Sequence, residues 1–509
     1  VAVNRAHVKT VNTEPEPMRS KSYYAAIDLG SNSFHMLVVR VVAGSIQIVS
    51  KIKRKIRLAE GLQEDGTLSA DAQQRALDCL AIFSDRVNDI APQNIRAVGT
   101  AALRKLAADD PFLVAMQTVL GHPIEIISGE VEAQTIYQGI AHTTATNHAL
   151  MVCDIGGAST EIAIGEGYTP LIVRSLHMGC VTWKQQFFPG GHISAERIAN
   201  AVAAAQEVIA PHTSAFAQAQ GLRVLGASGT FKALQEIARF REQPEVFKQD
   251  WLEALLAEAS EYTDLENLTM PGLKADRVLV FLPGLCILVA LFKELSLQTI
   301  EATEAALREG LVYGMLKELQ HDDVQLRTLE SLSAHYQTDL EQSIRVLNTY
   351  HELRSQLHHP ALNEESMQAV ARAVAYLHEI GLSLSYKRAS RHSRYLLKHS
   401  NLPGFSVQER EALLKILEGV GGIIDEDSAP DTLQKGELAL LTRILRIAVL
   451  LCQRRNNDRI PQIQAKLQGE CIVLQLPSRF FTENRYLASL LIEEQQFQKD
   501  FGGLSLQEG

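Results

Sequence analysis

The sequence of 509 residues has no C-x-x-C pair; its six cysteines (Cys79, Cys153, Cys180, Cys286, Cys452 and Cys471) are scattered. That spacing speaks against a disulfide framework or a zinc site and for reduced thiols, so a cytoplasmic protein is expected. Positive charge is not in excess either. A net charge of −10 argues against a general nucleic-acid coat and leaves room only for a local basic groove. No specific nucleic-acid partner is expected. The most apolar run, Val278 to Phe292, is short and interrupted by Pro283-Gly284, so it reads as a buried core element and no membrane partner is expected. Residues 1–22 are polar, with Pro15 and Pro17, and lack the apolar core of a signal peptide. They read as a disordered tail or an over-long start. Low-complexity tracts and short-period repeats are absent from the remainder. With 46% hydrophobic and 21% charged residues it is globular in composition and long enough for three or four domains.

What is present begins with a turn. An apolar strand from Tyr23 runs into Asp28-Leu29-Gly30-Ser31-Asn32-Ser33, and a second strand leaves it at Phe34. Gly, Ser and Asn let backbone N–H groups and hydroxyls close around an anion, and an acid at a strand end can hold a cation. One such turn is also ordinary hairpin chemistry. The pattern recurs at Asp154-Ile155-Gly156-Gly157-Ala158-Ser159-Thr160, again with Gly two places and Ser five places after the acid. Each copy is followed by two more strand-like runs. The duplication suggests two related half-domains whose turns face each other across a cleft, holding a phosphate and its metal from both sides.

Further along, Lys51, Lys53, Lys55 and Arg57 alternate, which places them on one strand face, either a lysine-guarded edge or a lip that attracts a polyanion. Ser69 caps an amphipathic helix running to Val87. Arg104 follows a strand end, where it serves as a phosphate clamp or a surface ion-pair member. Glu130 and Glu132 fall in the first turn of a helix extending over Ala133–Ala141, where the dipole alone accounts for acids. A helix is expected over Ile193–Ala217. The strand Arg223–Leu225, the turn Gly226-Ala227-Ser228-Gly229-Thr230 and a helix from Phe231 make an anion site without the spacing of a Walker loop. Beyond His321-Asp322-Asp323 the pattern is helical and histidine-rich to about Asn457, then comes a hairpin, Ile463–Leu467 with Glu470–Leu476, and a helix from Arg485.

In this order the motifs resemble the exopolyphosphatase/guanosine pentaphosphate phosphohydrolase family. They are Asp28 to His35, Leu103-Arg104, Ser128-Gly129-Glu130-Val131-Glu132-Ala133, Asp154 to Glu161, Gly226 to Thr230 and Leu307-Arg308-Glu309-Gly310. The run Tyr24 to Arg40, Gly157-Ala158-Ser159 and Met178 to Trp183 are more similar to its guanosine pentaphosphate branch. The resemblance implies an α/β fold with two actin–hexokinase–Hsp70-like (ribonuclease H-like) half-domains, 23–135 and 136–317. An all-α HD-like domain, 318–460, and a small α+β piece, 461–509, follow. It also implies roles. Glu132 would be the general base and Arg104 would brace the terminal phosphoryl oxygens. Asp154 and Glu161 would hold Mg²⁺, with Asp28 helping through water. Phosphates would be cradled by Gly30, Ser31, Asn32 and Ser33, by Gly156, Gly157, Ala158 and Ser159, and by Ser228, Gly229 and Thr230. The bland readings stand beside these: turn caps for Asp28, Asp154 and Glu161, a dipole acid for Glu132, an ion pair for Arg104. Val131, Gln134 and Ala305 depart from the family pattern without touching these residues.

The activity implied is removal of the terminal 5′-phosphate of guanosine pentaphosphate in the stringent response, with trimming of inorganic polyphosphate by the same site. A principal exopolyphosphatase is the nearest alternative; a nucleotide sensor without turnover and a sugar or acetate kinase are others. A sensor needs no positioned base, and a kinase needs an acceptor pocket whose residues are not identifiable. His378-Glu379 resembles the His-Asp pair of metal phosphohydrolases, but Val449 and Cys452 stand where further acids are common. A folding and channel role without a second metal is expected there. By the resemblance, the C-terminal region pairs two chains into a homodimer.

Overall fold

The computed structural model describes residues 22–509 except 64–65, 108, 145–148, 220, 317–318, 320–322 and 421–435. The expected tail (to residue 21) and the boundary at His321-Asp322 lie outside the described residues.

Two mixed sheets carry the first part of the chain. The first orders β3-β2-β1-β4-β5 from β1 (Tyr23–Leu29), β2 (Ser33–Val42), β3 (Ser45–Lys55), β4 (Ile95–Gly99) and β5 (Ile124–Ile126). The second is built from β6 (Leu150–Ile155), β7 (Thr160–Glu166), β8 (Thr169–Leu176), β9 (Arg223–Ala227), β10 (Val246–Phe247) and β11 (Ile300–Ala302), in the order β10-β11-β9-β6-β7-β8. Leaving out the two-residue β10, the sheets have one topology: an antiparallel three-strand meander whose first strand pairs in parallel with a later one. The doubled turn is therefore a doubled sheet.

Side-chain alternation decides which way the turns look. Ala25, Ile27 and Leu29 enter a core with the helices Ala70–Val87 and Pro111–Leu120. Ala26, of the opposite parity, enters a central layer between the sheets. Likewise Met151, Cys153 and Ile155 face the outer core of the second sheet, whereas Leu150 and Val152 face the central layer. Asp28 and Asp154 share the parity of the central residues, so both turn their carboxylates inward. The central layer is filled by two helices, Gly129–Ala141 and Leu307–Met315, one following the last parallel strand of each sheet. The division expected at 135/136 falls inside the first of these.

Several elements differ from expectation for local reasons. The helix expected to run to Ala217 spans Ala195–Ile209 and gives way before Pro211. The Ser228 helix starts at Ser228, not Phe231, so the Gly-Ser-Gly turn is its own first turn. The apolar run is not broken at Pro283: an 18-residue helix, Val278–Leu295, passes through it and is buried in the second core. By length and composition alone it could cross a membrane; here its apolar surface is spent on packing. Arg57 leaves the lysine face because β3 ends at Lys55 and Arg57 takes a left-handed conformation, φ 57°.

Among the described residues, six longer helices from Val324–His335 to Glu437–Leu451 and a further one, Arg485–Phe497, form the last part with a sheet of β12 (Gln464–Gln468), β13 (Cys471–Leu476) and β14 (Leu504–Glu508). Helices and sheet share one core, to which Ile472, Leu474, Leu491 and Leu504 contribute. Arg327 ties this part to the sheets, donating to the carbonyls of Leu319 (2.6 Å) and His142 (2.8 Å).

Candidate active site

Each acid turn is pinned by backbone bonds from a neighbour. The Ser31 and Asn32 carbonyls accept from Ala59, Ile56 and Arg57, and the Gly156 and Gly157 carbonyls accept from Cys180 and Val181. The turns touch: a side chain on Gly157 would lie 3.2 Å from Ser31 Cβ and 3.4 Å from Asn32 Cβ, so this close approach favours glycine. Between them opens a cavity of about 420 Å³. Gly30, Ser31, Asn32, Ser33, Gly156, Gly157, Ser159, Ser228, Gly229 and Thr230 line it, with Asp28, Glu132, Asp154 and Glu161. Ser228 holds a positive φ of 80° while its hydroxyl donates to the Ile155 carbonyl at 2.7 Å, so backbone strain sits at the third cradle. Two expected residues are not on the wall. Ala158 does not line the cavity, and Arg104 turns to Glu132, donating from Nη1 to Oε2 at 2.7 Å and to the Ile127 carbonyl at 3.0 Å.

Glu132 sits in the first turn of Gly129–Ala141, capped by Ser128, and is only 7% exposed. Burial pushes its carboxyl up to about 7 against the pull of Arg104. Burial likewise raises Asp28 to about 7 and Asp154 to about 6, with Arg308 pulling both back. Glu161 is held well above the usual range by burial, then by Glu132 and Asp154, although Ser175 donates to it at 2.8 Å. Among the described residues, Glu132 alone of these four has an ion-pair partner.

Buried acids without an ion-pair partner, as Asp28, Asp154 and Glu161 are among the described residues, suit a cation. Among the described residues no three His, Cys, Asp or Glu side chains converge as a ready-made metal cage. Carboxylate oxygens of this kind suit a hard cation such as Mg²⁺, which takes one or two carboxylates and completes its shell with water and phosphate oxygens. A stability effect follows. In protein stripped of divalent cations, acids raised above their unfolded values bind protons in the native state that the unfolded chain has released. Stability should fall as pH rises from about 4 to about 7. Millimolar Mg²⁺ should raise the melting temperature more at pH 7.5 than at pH 5; an equal shift at both would contradict the assignment.

The cavity is also lined by cations, Lys51, Lys53, Lys232, Arg277 and Arg308. Alternation along β3 had flagged the first two. Arg308 lay inside a motif without an assigned role, and Arg277 and Lys232 carried no local signal. In the helical part, His378 Nε2 stays 4.0 Å from Glu379, whose carboxylate is engaged by Arg455, and Cys452 Sγ contacts the Thr349 hydroxyl at 3.2 Å. Val449 and Cys452 are buried.

Comparison with known proteins identifies the family of the chain. The Ppx/GppA phosphatase family model matches residues 37–319, and the model for domain III of Ppx/GppA phosphatases matches 324–495. A Photobacterium profundum protein named guanosine-5'-triphosphate,3'-diphosphate pyrophosphatase is 39% identical over 479 residues, 94% of this chain and 96% of its own. A Vibrio campbellii protein of the same name is 41% identical over 488 residues, 95% of this chain and 97% of its own. Among solved structures, an exopolyphosphatase from Cytophaga hutchinsonii superposes with a TM-score of 0.53 at 24% identity, over 58% of this chain and 98% of its own. That likeness supports the fold of the two paired half-domains.

Proposed function

The chain belongs to the Ppx/GppA phosphatase family, and from that premise we propose that it hydrolyses guanosine pentaphosphate to guanosine tetraphosphate and phosphate in a Mg²⁺-dependent reaction. The observation that carries the reading is Glu132, buried between two anion-binding turns and aimed by Arg104 at 2.7 Å. A water beside Glu132 attacks the terminal phosphorus, its proton passes to the carboxylate, and the bond to the bridging oxygen breaks with the nucleotide as leaving group. Amides and hydroxyls of the Gly30–Ser33, Gly156–Ser159 and Ser228–Thr230 turns hold the phosphoryl oxygens. Asp154 and Glu161 would hold the cation, with Asp28 as a helper through water. When bound, a divalent ion there neutralises charge on the phosphate chain. Arg104 acts through Glu132, and a carboxylate tuned near 7 is matched to base work at neutral pH.

Trimming of polyphosphate by the same site is part of this reading. A principal exopolyphosphatase is favoured by one observation, the wall of Lys51, Lys53, Lys232 and Arg277, which suits any polyanion. Phosphate release with Mg²⁺ from both substrates separates the two. The nucleotide is expected to be preferred, leaving guanosine tetraphosphate. Preference for polyphosphate would promote the second reading, and ADP formation from ATP with a small acceptor would point to a kinase instead. The protein is placed in the cytoplasm and in the stringent response on the same reading. Its C-terminal region is proposed to pair two chains, for which light scattering should give a dimer.

A further inference from the structure

The two half-domains are built alike, yet their acid turns differ in chemistry. Across the second turn, Asp154 on β6 stands opposite Glu161 on β7. Across the first, in the same register, Asp28 on β1 stands opposite His35 on β2. His35 is thus the counterpart of Glu161, an imidazole where the other half has a carboxylate. Both lie on the parity that faces the central layer, since Leu37 and Val39 do so on β2 and Ala163 does so on β7. Both line the cavity.

Arg308 reaches that imidazole, Nη1 to His35 Nδ1 at 3.1 Å. A guanidinium only donates, so Nδ1 accepts and is unprotonated. Burial, with Arg308, Lys53, Arg277 and Lys51 around the ring, keeps His35 far below its ordinary value. Arg308 is the strongest charge favouring ionised Asp28, and it also favours ionised Asp154. Nor is Arg308 free to swing away as a unit. Its helix is capped by Glu309, which accepts from Ala306 N at 2.9 Å, and is seated on the helix that carries Glu132.

We propose that Arg308, aimed by His35, is the built-in counter-cation of the Asp28 turn, so that the cleft takes one divalent cation, at Asp154 and Glu161, where two matching acid pairs would take two. The tethered cation at the first acid turn and the exchangeable one at the second then flank the phosphate chain. His35 is a positioning residue, acting only through Arg308. The inference rests on the phosphohydrolase reading only for the idea that phosphate lies between them; the ion count is independent of turnover.

The test is Mn²⁺ titration of the chelator-stripped full chain without substrate, by calorimetry and paramagnetic resonance. Wild type is expected to bind one Mn²⁺ per chain, and the double variant His35→Glu/Arg308→Gln, checked by circular dichroism, two. Should the double variant fail to fold, Arg308→Gln alone is expected to bind its single Mn²⁺ roughly tenfold more tightly, because a neighbouring positive charge is gone. His35→Leu should shift affinity the same way, and His35→Gln, which keeps an acceptor, should restore it. Two ions on wild type, one on a folded double variant, or weaker binding by Arg308→Gln would overturn the proposal. A wild type that binds one Mn²⁺ but releases no phosphate would sink the hydrolase reading and leave this one standing.

Discussion

Glu132→Gln is expected to slow phosphate release from guanosine pentaphosphate and from polyphosphate alike, by roughly 10²–10⁴-fold, the usual contribution of a positioned base. The substitution keeps the volume and an acceptor oxygen for Arg104, whose bond to Glu132 is 2.7 Å. It also removes a carboxylate that burial disfavours, so the fold should survive it and melting should stay near or above wild type. Equal loss on both substrates would mean one site serves both. Loss on one alone would mean a second site. Retention of most of the rate would remove Glu132 from the mechanism and reopen the nucleotide-sensor reading, which needs no base. Substrate affinity separates chemistry from binding: KM should change little, because Glu132 acts on water and not on phosphate.

How much of this was readable in the chain depends on how local the cause was. The acid turns are local, with strand, acid, Gly at +2 and Ser at +5, and alternation along β1 and β6 then fixes where Asp28 and Asp154 point. Ser69 as a helix cap was legible for the same reason, its hydroxyl accepting from Ala72 N. The failures are non-local. Pro283 should interrupt a helix, but thirteen buried residues in Val278–Leu295 supply packing that outweighs a lost backbone bond. β14 escaped notice because it follows Gly502-Gly503 and pairs in parallel with β13, about thirty residues earlier in the chain. The bond from Arg104 to Glu132 was not legible for the same reason: the Ile127 carbonyl that also holds Arg104 is brought there by the sheet. Arg277 and Lys232 join the wall from segments whose local sequence is unremarkable, so only tertiary structure collects them.

Within the helix Leu307–Met315, two glycines should respond to alanine in opposite directions. A methyl at Gly310 would sit 1.9 Å from the Thr135 carbonyl oxygen and 2.8 Å from its carbon, backbone atoms of the Glu132 helix that cannot turn aside. The reciprocal contact is as close, with a methyl at Gly139 2.4 Å from the Ala306 oxygen and 2.5 Å from Gly310 N. The helices are therefore in backbone contact, and Gly310→Ala must push them apart. Overpacking of this kind costs about 1–3 kcal/mol and occasionally more. The gain of about 1 kcal/mol from replacing helical glycine with alanine does not offset a clash with a backbone that must shift. At Gly314 the nearest atom is the flexible Arg96 guanidinium at 3.5 Å, so Gly314→Ala should keep that gain and melt slightly higher than wild type. Activity should follow the same geometry. Gly310→Ala displaces the helix of Arg308 from the helix of Glu132, and a misplacement of about 1 Å can cost about 10²-fold in rate. Denaturant titration and phosphate release on the two variants read both effects. A Gly310→Ala protein as stable and active as wild type would show that the helices are not seated against each other, and with that the rigid link between the base and the cation of the first turn would be lost.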